Sequence, residues 1–225
     1  MARRSKSLAF SYVNHDTSNK NFLHKNFDKV KCYHSNFYKS KFTNVSFRGA
    51  SFKWCSFTHA TFYKCSFKGT RFKGGSTGKS MFEQCIFNSV VLEKVTFCAS
   101  TFTDCYFVNC RKLLSTIPPH SLVNCKFYDS LPPESMFSDD LLEVVRSLRS
   151  NKYVLKSSIL HIKRQRLDTL NLSRLVDKYG EVFLTQNLVT ACLNIKNDFY
   201  NISYIERLLD NFIISEPGLT TGGNL

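Results

Sequence analysis

Covalent and metal chemistry depends on histidine, cysteine, carboxylate and hydroxyl groups brought together at particular spacings. The six histidines are His15, His24, His34, His59, His120 and His161, and none falls in an HExxH arrangement. None of the nine cysteines is placed as a CxxC pair. Zinc sites and metalloproteases carry such spacings, and hydrolases carry a nucleophile elbow, which is also missing. Residues 20–112 contain only four acids, Asp28, Glu83, Glu93 and Asp104. Spread over that length they form no evident acid–base pair. His120 follows Pro119 and is expected in a loop. The expectation is a protein that is not an enzyme, with no metal and no cofactor.

One stretch looks like a phosphate cradle. Residues 73–80 read Lys-Gly-Gly-Ser-Thr-Gly-Lys-Ser and end like a phosphate-binding loop. That motif needs a glycine five residues before Gly78, and Lys73 stands there. No strand–loop–helix pattern surrounds it. A flexible side or bulge is the expectation for this segment.

Positive charge is the chemistry that the sequence does concentrate. The chain has 31 Lys and Arg against 17 Asp and Glu, a net charge of +14. Residues 1–19 carry three basic and one acidic residue, residues 20–112 carry 16 and 4, and residues 113–225 carry 12 of each. Excess charge therefore belongs to the middle of the chain. Such an excess points to phosphates or to an acidic protein face. No apolar run is long enough to span a membrane. Arg3, Arg4 and Lys6 are not followed by the apolar segment of a secretory signal.

The element that must carry this charge is a repeat of period five. From Phe22 to Phe107 phenylalanine fills 15 of 18 slots, with Cys32, Thr77 and Leu92 in the others. Two residues before each slot stands a small or β-branched side chain, from Val30 through Ala50, Cys65 and Ser80 to Cys105. Lys20 and Lys25 alone break that second pattern. A period of five fits neither helix nor strand. Regular internal repetition marks a solenoid, whose units bury their apolar positions only by stacking. The units Ala50-Ser51-Phe52-Lys53-Trp54, Ala60-Thr61-Phe62-Tyr63-Lys64 and Cys65-Ser66-Phe67-Lys68-Gly69 closely follow small-x-Phe-x-x. This resembles the pentapeptide-repeat family. The resemblance covers about half the chain and implies a mainly β fold: a right-handed, quadrilateral β-helix of 20 residues per coil, with Phe and the small residue inside.

On that geometry Cys65, Cys85, Cys105 and Cys125 form a buried column of packing residues, and a reducing, cytoplasmic setting is expected. Residues 1–19 are expected to be an N-terminal cap, using Leu8, Phe10, Tyr12 and Val13, or a basic arm. The β-helix is expected over 20–130, with Ile117, Leu122 and Phe127 still on register and Lys112 off it. An α-helical domain is expected over 138–215 and a disordered tail over 216–225. Ser138-Asp139-Asp140 reads as a helix cap. Further helices are expected over 153–167, over 173–179 closed by Gly180, from a Thr185 cap, and from a Ser203–Glu206 capping box.

Residues 20 apart stack in such a coil, so Arg48 lies over Lys68 and Lys53 over Lys73, with Arg71 beside Lys73. These five form the candidate partner-binding stripe. The leading expectation is a binding or scaffold protein whose basic face takes nucleic acid or an acidic protein, as a subunit of a multiprotein defence or regulatory complex. Its helical domain would join it to itself or to another subunit. A second reading, implied by the resemblance, is a topoisomerase-binding protein that mimics duplex DNA, although mimicry calls for negative charge. A leaderless secreted bacterial effector is a third.

Overall fold

The computed structural model describes residues 11–95 and 97–215. The chain divides into two compact units, Met1–Ser130 and Leu131–Leu225.

The first unit is a four-sided parallel solenoid. Strands Ser11–Val13, Lys31–Tyr33, Ser51–Lys53, Arg71–Lys73 and Val91–Glu93 stack as its first side. The second side is held by single bridges, Asp16 to Asn36, Asn36 to Ser56 and Ser56 to Ser76. Six strands, from Asn21–Leu23 to Leu122–Val123, make the third. Four strands, from Ser66–Lys68 to Lys126–Tyr128, make the fourth, continued by bridges from Ser66 to Ser46 and Ser46 to Asn26. Register is a strict 20 residues, as in Phe42 opposite Phe62 and Phe67 opposite Phe87. Phe47, Phe52, Phe57 and Phe62 thus lie on four different sides, and each is at most 3% exposed.

Aromatic stacking fills the interior. Along the third side Phe42, Phe62, Phe82 and Phe102 stack face to face at 4.8, 4.7 and 4.7 Å. Between sides the rings meet edge to face, as for Phe52 and Phe57 at 4.9 Å and 90°. Both geometries suit the ring quadrupole. The chain turns each corner two residues after the inward slot. From Asn14 to Asn109 every fifth residue there has positive φ, and only Gly49, Gly69 and Gly74 are glycine. This conformation costs ~1–2 kcal/mol at other residues. Each coil is tied to the next at these points, for example by Asn14 N–H to the Tyr33 carbonyl at 2.9 Å and Trp54 N–H to the Lys73 carbonyl at 2.8 Å.

Two details differ from the sequence reading. Coils begin before residue 20, because Ser11–Val13 already pairs with Lys31–Tyr33. Tyr12 and Thr17 occupy the inward slots there, and the lack of Phe hid them. Leu8, Phe10 and the rest of residues 1–10 lie outside the described residues, as does the tail 216–225. Residues 73–80 are not a bulge. Thr77 fills an inward slot at 2% exposure, and Ser80 leads directly into strand Met81–Glu83. Gly75 is required at its small position, since a Cβ would come within 2.1 Å of the Cys55 carbonyl oxygen. Lys112 is off register because a helical turn, α1 (Arg111–Leu114), replaces the strand there and turns Leu113 inward. At the end of the solenoid Phe127 is 50% exposed, although it stacks on Phe107 at 5.5 Å.

The second unit is helical: α2 (Asp139–Ser147), α3 (Lys152–Ser157), α4 (Thr169–Tyr179), α5 (Glu181–Leu193) and α6 (Ser203–Ser215). Ser138 caps α2 by accepting from Leu141 N–H. The helix expected over 153–167 stops at Ser157, because Ser158 takes a left-handed conformation with φ 56°. Asn151, not Tyr153, opens α3 by accepting from the N–H groups of Tyr153 and Val154. Asp168 caps α4, which begins at Thr169, four residues before the expected Ser173. Thr185 lies inside α5 and donates to the Glu181 carbonyl rather than capping. Glu206 does not close a capping box either. Its carboxylate is spent on a buried ion pair with Arg174 at 2.5 Å. No helix among the described residues is long and apolar enough to cross a membrane.

Candidate functional site

The solenoid brings the five stripe residues together on two adjacent sides. Arg48 and Lys68 are on the fourth side, Lys53, Arg71 and Lys73 on the first. Lys53 and Lys73 are in-register neighbours. Arg48 and Lys73 are matched to acids. Arg48 donates to Asp28 Oδ2 from Nη2 at 2.7 Å and from Nε at 3.0 Å, and its backbone N–H reaches Oδ1 at 3.1 Å. Lys73 Nζ lies 2.5 Å from Glu93 Oε1, and this contact holds the Glu93 carboxyl below its ordinary range. Lys53 sits over the Tyr33 ring at 5.5 Å. Exposed pairs of the Lys73–Glu93 kind add little stability, but they do cancel charge locally. Both pairs join residues 20 apart, so extending the 20-residue register to the acids would have found them.

Nucleophiles are scarce where they would matter. Cys65, Cys85 and Cys105 are buried, each thiol donating to the carbonyl of the Phe 23 positions earlier at 3.4, 3.4 and 3.5 Å. Burial pushes the thiols of Cys85 and Cys105 well above the ordinary value. A thiol held neutral in this way packs rather than reacts. Cys125, expected to be buried, is only half-buried, because it belongs to the last coil. In the helical unit a groove of about 520 Å³ is lined by Leu148, Asn151, Val189, Cys192 and Leu193, among others. Among its described lining residues Cys192 alone is ionisable, and burial pushes its thiol up to about 12. The charged groups of that unit serve as struts. Lys178 and the Tyr179 hydroxyl both reach Asp210 at 2.7 Å, next to the Arg174–Glu206 pair, and so tie α4 to α6.

Comparison with known proteins places the repeat region. Residues 27–75 match the family of pentapeptide repeats, with nine copies. No curated protein sequence matches the chain. Among solved structures it is similar to HetL, a pentapeptide repeat protein involved in heterocyst differentiation regulation from the cyanobacterium Nostoc sp. strain PCC 7120, at 12% identity and a TM-score of 0.43. That match covers 45% of this chain and 43% of HetL, so the chain spans less than half of its length. A pentapeptide repeat protein of the Arabidopsis thaliana thylakoid lumen is 12% identical, with a TM-score of 0.33 and coverage of 60% of this chain and 75% of that one. Full-length QnrB1, a plasmid-mediated fluoroquinolone resistance protein, is 12% identical, with a TM-score of 0.18 and coverage of 54% and 85%.

Proposed function

Since its repeats make the chain a pentapeptide-repeat protein, we propose that it is a non-enzymatic binding protein whose solenoid offers positive charge to an anionic partner, a nucleic acid or an acidic protein. One observation carries this reading. Residues 1–130 hold 20 basic and 6 acidic residues, whereas residues 131–225 hold 11 of each. All of the net charge of +14 therefore lies on the solenoid unit. The β-helix makes that surface rigid, so its cations are held in place before a partner arrives, which lowers the cost of binding. Lys53 and Arg71 on the first side and Lys68 on the fourth are among the stripe residues that carry this charge. Mimicry of duplex DNA toward a topoisomerase would need the opposite sign. The helical unit, with no net charge, would join the protein to itself or to another subunit of a regulatory or defence complex in the cytoplasm.

The test is a mobility-shift titration with duplex DNA, single-stranded DNA and RNA, run beside an affinity capture from nuclease-treated lysate. Lys53→Glu, Lys68→Glu and Arg71→Glu together should weaken capture of the partner by at least tenfold while leaving the circular dichroism unchanged. If the wild-type protein binds no nucleic acid at low salt and captures no acidic protein, the reading fails.

A further inference from the structure

The second side of the solenoid carries a different arrangement from the stripe. Its floor consists of short polar residues. Thr58 Oγ1 and Ser76 Oγ are 2.8 Å apart, Ser56 Oγ donates to Thr58 Oγ1 at 3.4 Å, and the Asn36 side chain accepts from Tyr38 N–H at 3.0 Å. Three residues of extended chain make this floor roughly 10 Å wide. One corner beside it is aromatic and the other cationic. At the aromatic corner Trp54 and His34 stack at 6.5 Å, with their planes 17° apart. Trp54 is also held from the next coil. Gly74 sits under its ring, where a Cβ would come within 2.2 Å of ring carbons. Despite these contacts, 44% of Trp54 remains exposed. At the opposite corner Lys39, His59 and Lys79 form one column, each 20 residues after the last, and all three are exposed. Lys39 lies over the Tyr38 ring at 5.2 Å, and Tyr38 meets His59 edge to face at 5.7 Å. Lys41 follows on the third side. Residues 34–39, 54–59 and 74–79 contain no acid.

From this we propose that the second side binds single-stranded nucleic acid along the solenoid axis, with bases against Trp54 and His34 and phosphates against Lys39, Lys79 and Lys41. The proposal rests on the reading of the solenoid as an anion-binding rod and adds the face and the kind of strand. Single strands are held by this combination, a cationic track beside aromatic rings on which any base can stack. A duplex keeps its bases stacked inside and would leave Trp54 unused. An acidic protein would use the lysines but gives no role to an exposed indole seated on a glycine. The hydroxyl floor suits sugars and base edges without selecting a sequence, so binding should be sequence-tolerant.

Trp54 is the only tryptophan in the chain, so its emission reports on this side alone. Full-length protein is titrated with a mixed-sequence single-stranded DNA, a matching RNA, the duplex of the same DNA, and polyglutamate. The expected result is quenching by both single strands, with little by duplex or polyglutamate. Lys39→Gln with Lys79→Gln should lower the slope of log K against log salt by about 1.4, because each lost phosphate contact removes about 0.7. Trp54→Ala should weaken single-strand binding, followed by mobility shift, by roughly 5- to 150-fold. Lys163→Gln with Lys196→Gln, on the helical unit, should leave the quenching in place. Unchanged emission with single strands at low salt overturns the proposal, as does quenching lost only in the stripe variant. If duplex still binds through the stripe while Trp54 emission stays constant, this proposal falls and the broader reading stands. If no polyanion binds at all, both fall.

Discussion

At the scale of single residues, the repeat places side chains by count. From Val30 to Phe107 every inward slot, and every small position but Gly75, is buried, so these places could be assigned from the period of five. Outward positions obey the 20-residue coil instead, which is why the pairing of Arg48 with Asp28 and of Lys73 with Glu93 emerged only when coils were stacked. Corner residues were not legible. Seventeen of the twenty corners from Asn14 to Asn109 take positive φ without being glycine, and residue type gives no warning of it at Lys29, Trp54 or Ala99. The cysteines give a direct check at this scale. All nine are free thiols, with Cys98 exposed, Cys125 half-buried and the others buried. A colorimetric thiol assay on unreduced native protein should therefore report fast labelling of Cys98 and slower labelling of Cys125, then nine thiols on denaturation. Fewer than nine would mean that some cysteines are engaged in disulfides rather than packing.

At the scale of elements, strands and helices were legible to different degrees. The solenoid strands followed from a pattern with one answer. Helix existence in the second unit was readable from apolar spacing, but helix ends were not, because they depend on tertiary partners. Glu206 would close a capping box in an isolated helix, yet Arg174 of α4 takes its carboxylate at 2.5 Å. The segment after α3 leaves the helix to form a bridge between His161 and Leu167. His161 is 2% exposed, one ring nitrogen lies 2.8 Å from the Val145 carbonyl, and Nδ1 has no partner. Burial therefore lowers its pKa from the ordinary value. The unfolded chain then binds a proton that the folded one resists, so stability falls as pH drops below about 6.5. Thermal melts should show the helical unit losing stability between pH 7 and pH 5, and His161→Gln should flatten that dependence. An unchanged pH profile in the variant would assign the effect to other groups.

At the scale of the whole molecule, what was legible about function is a distribution of charge, and what was not is its fine placement. Counting Lys and Arg along the chain locates the excess of +14 on the solenoid, because charge on a repeat accumulates coil by coil. The same count could not separate the first and fourth sides, where acids one coil away meet Arg48 and Lys73, from the second side, where Trp54 and a Lys–His–Lys column flank a floor with no acid in residues 34–39, 54–59 and 74–79. That division depends on which corners share a side. The central claim is that this charge exists to hold an anionic partner, and for a nucleic acid the most direct measurement is affinity against salt. Full-length protein binding single-stranded DNA should show log K falling linearly with log salt concentration. With three phosphates contacted by Lys39, Lys41 and Lys79, the slope should be about −2. No binding of single-stranded DNA at low salt, or binding indifferent to salt, would contradict a single-stranded nucleic acid as that partner.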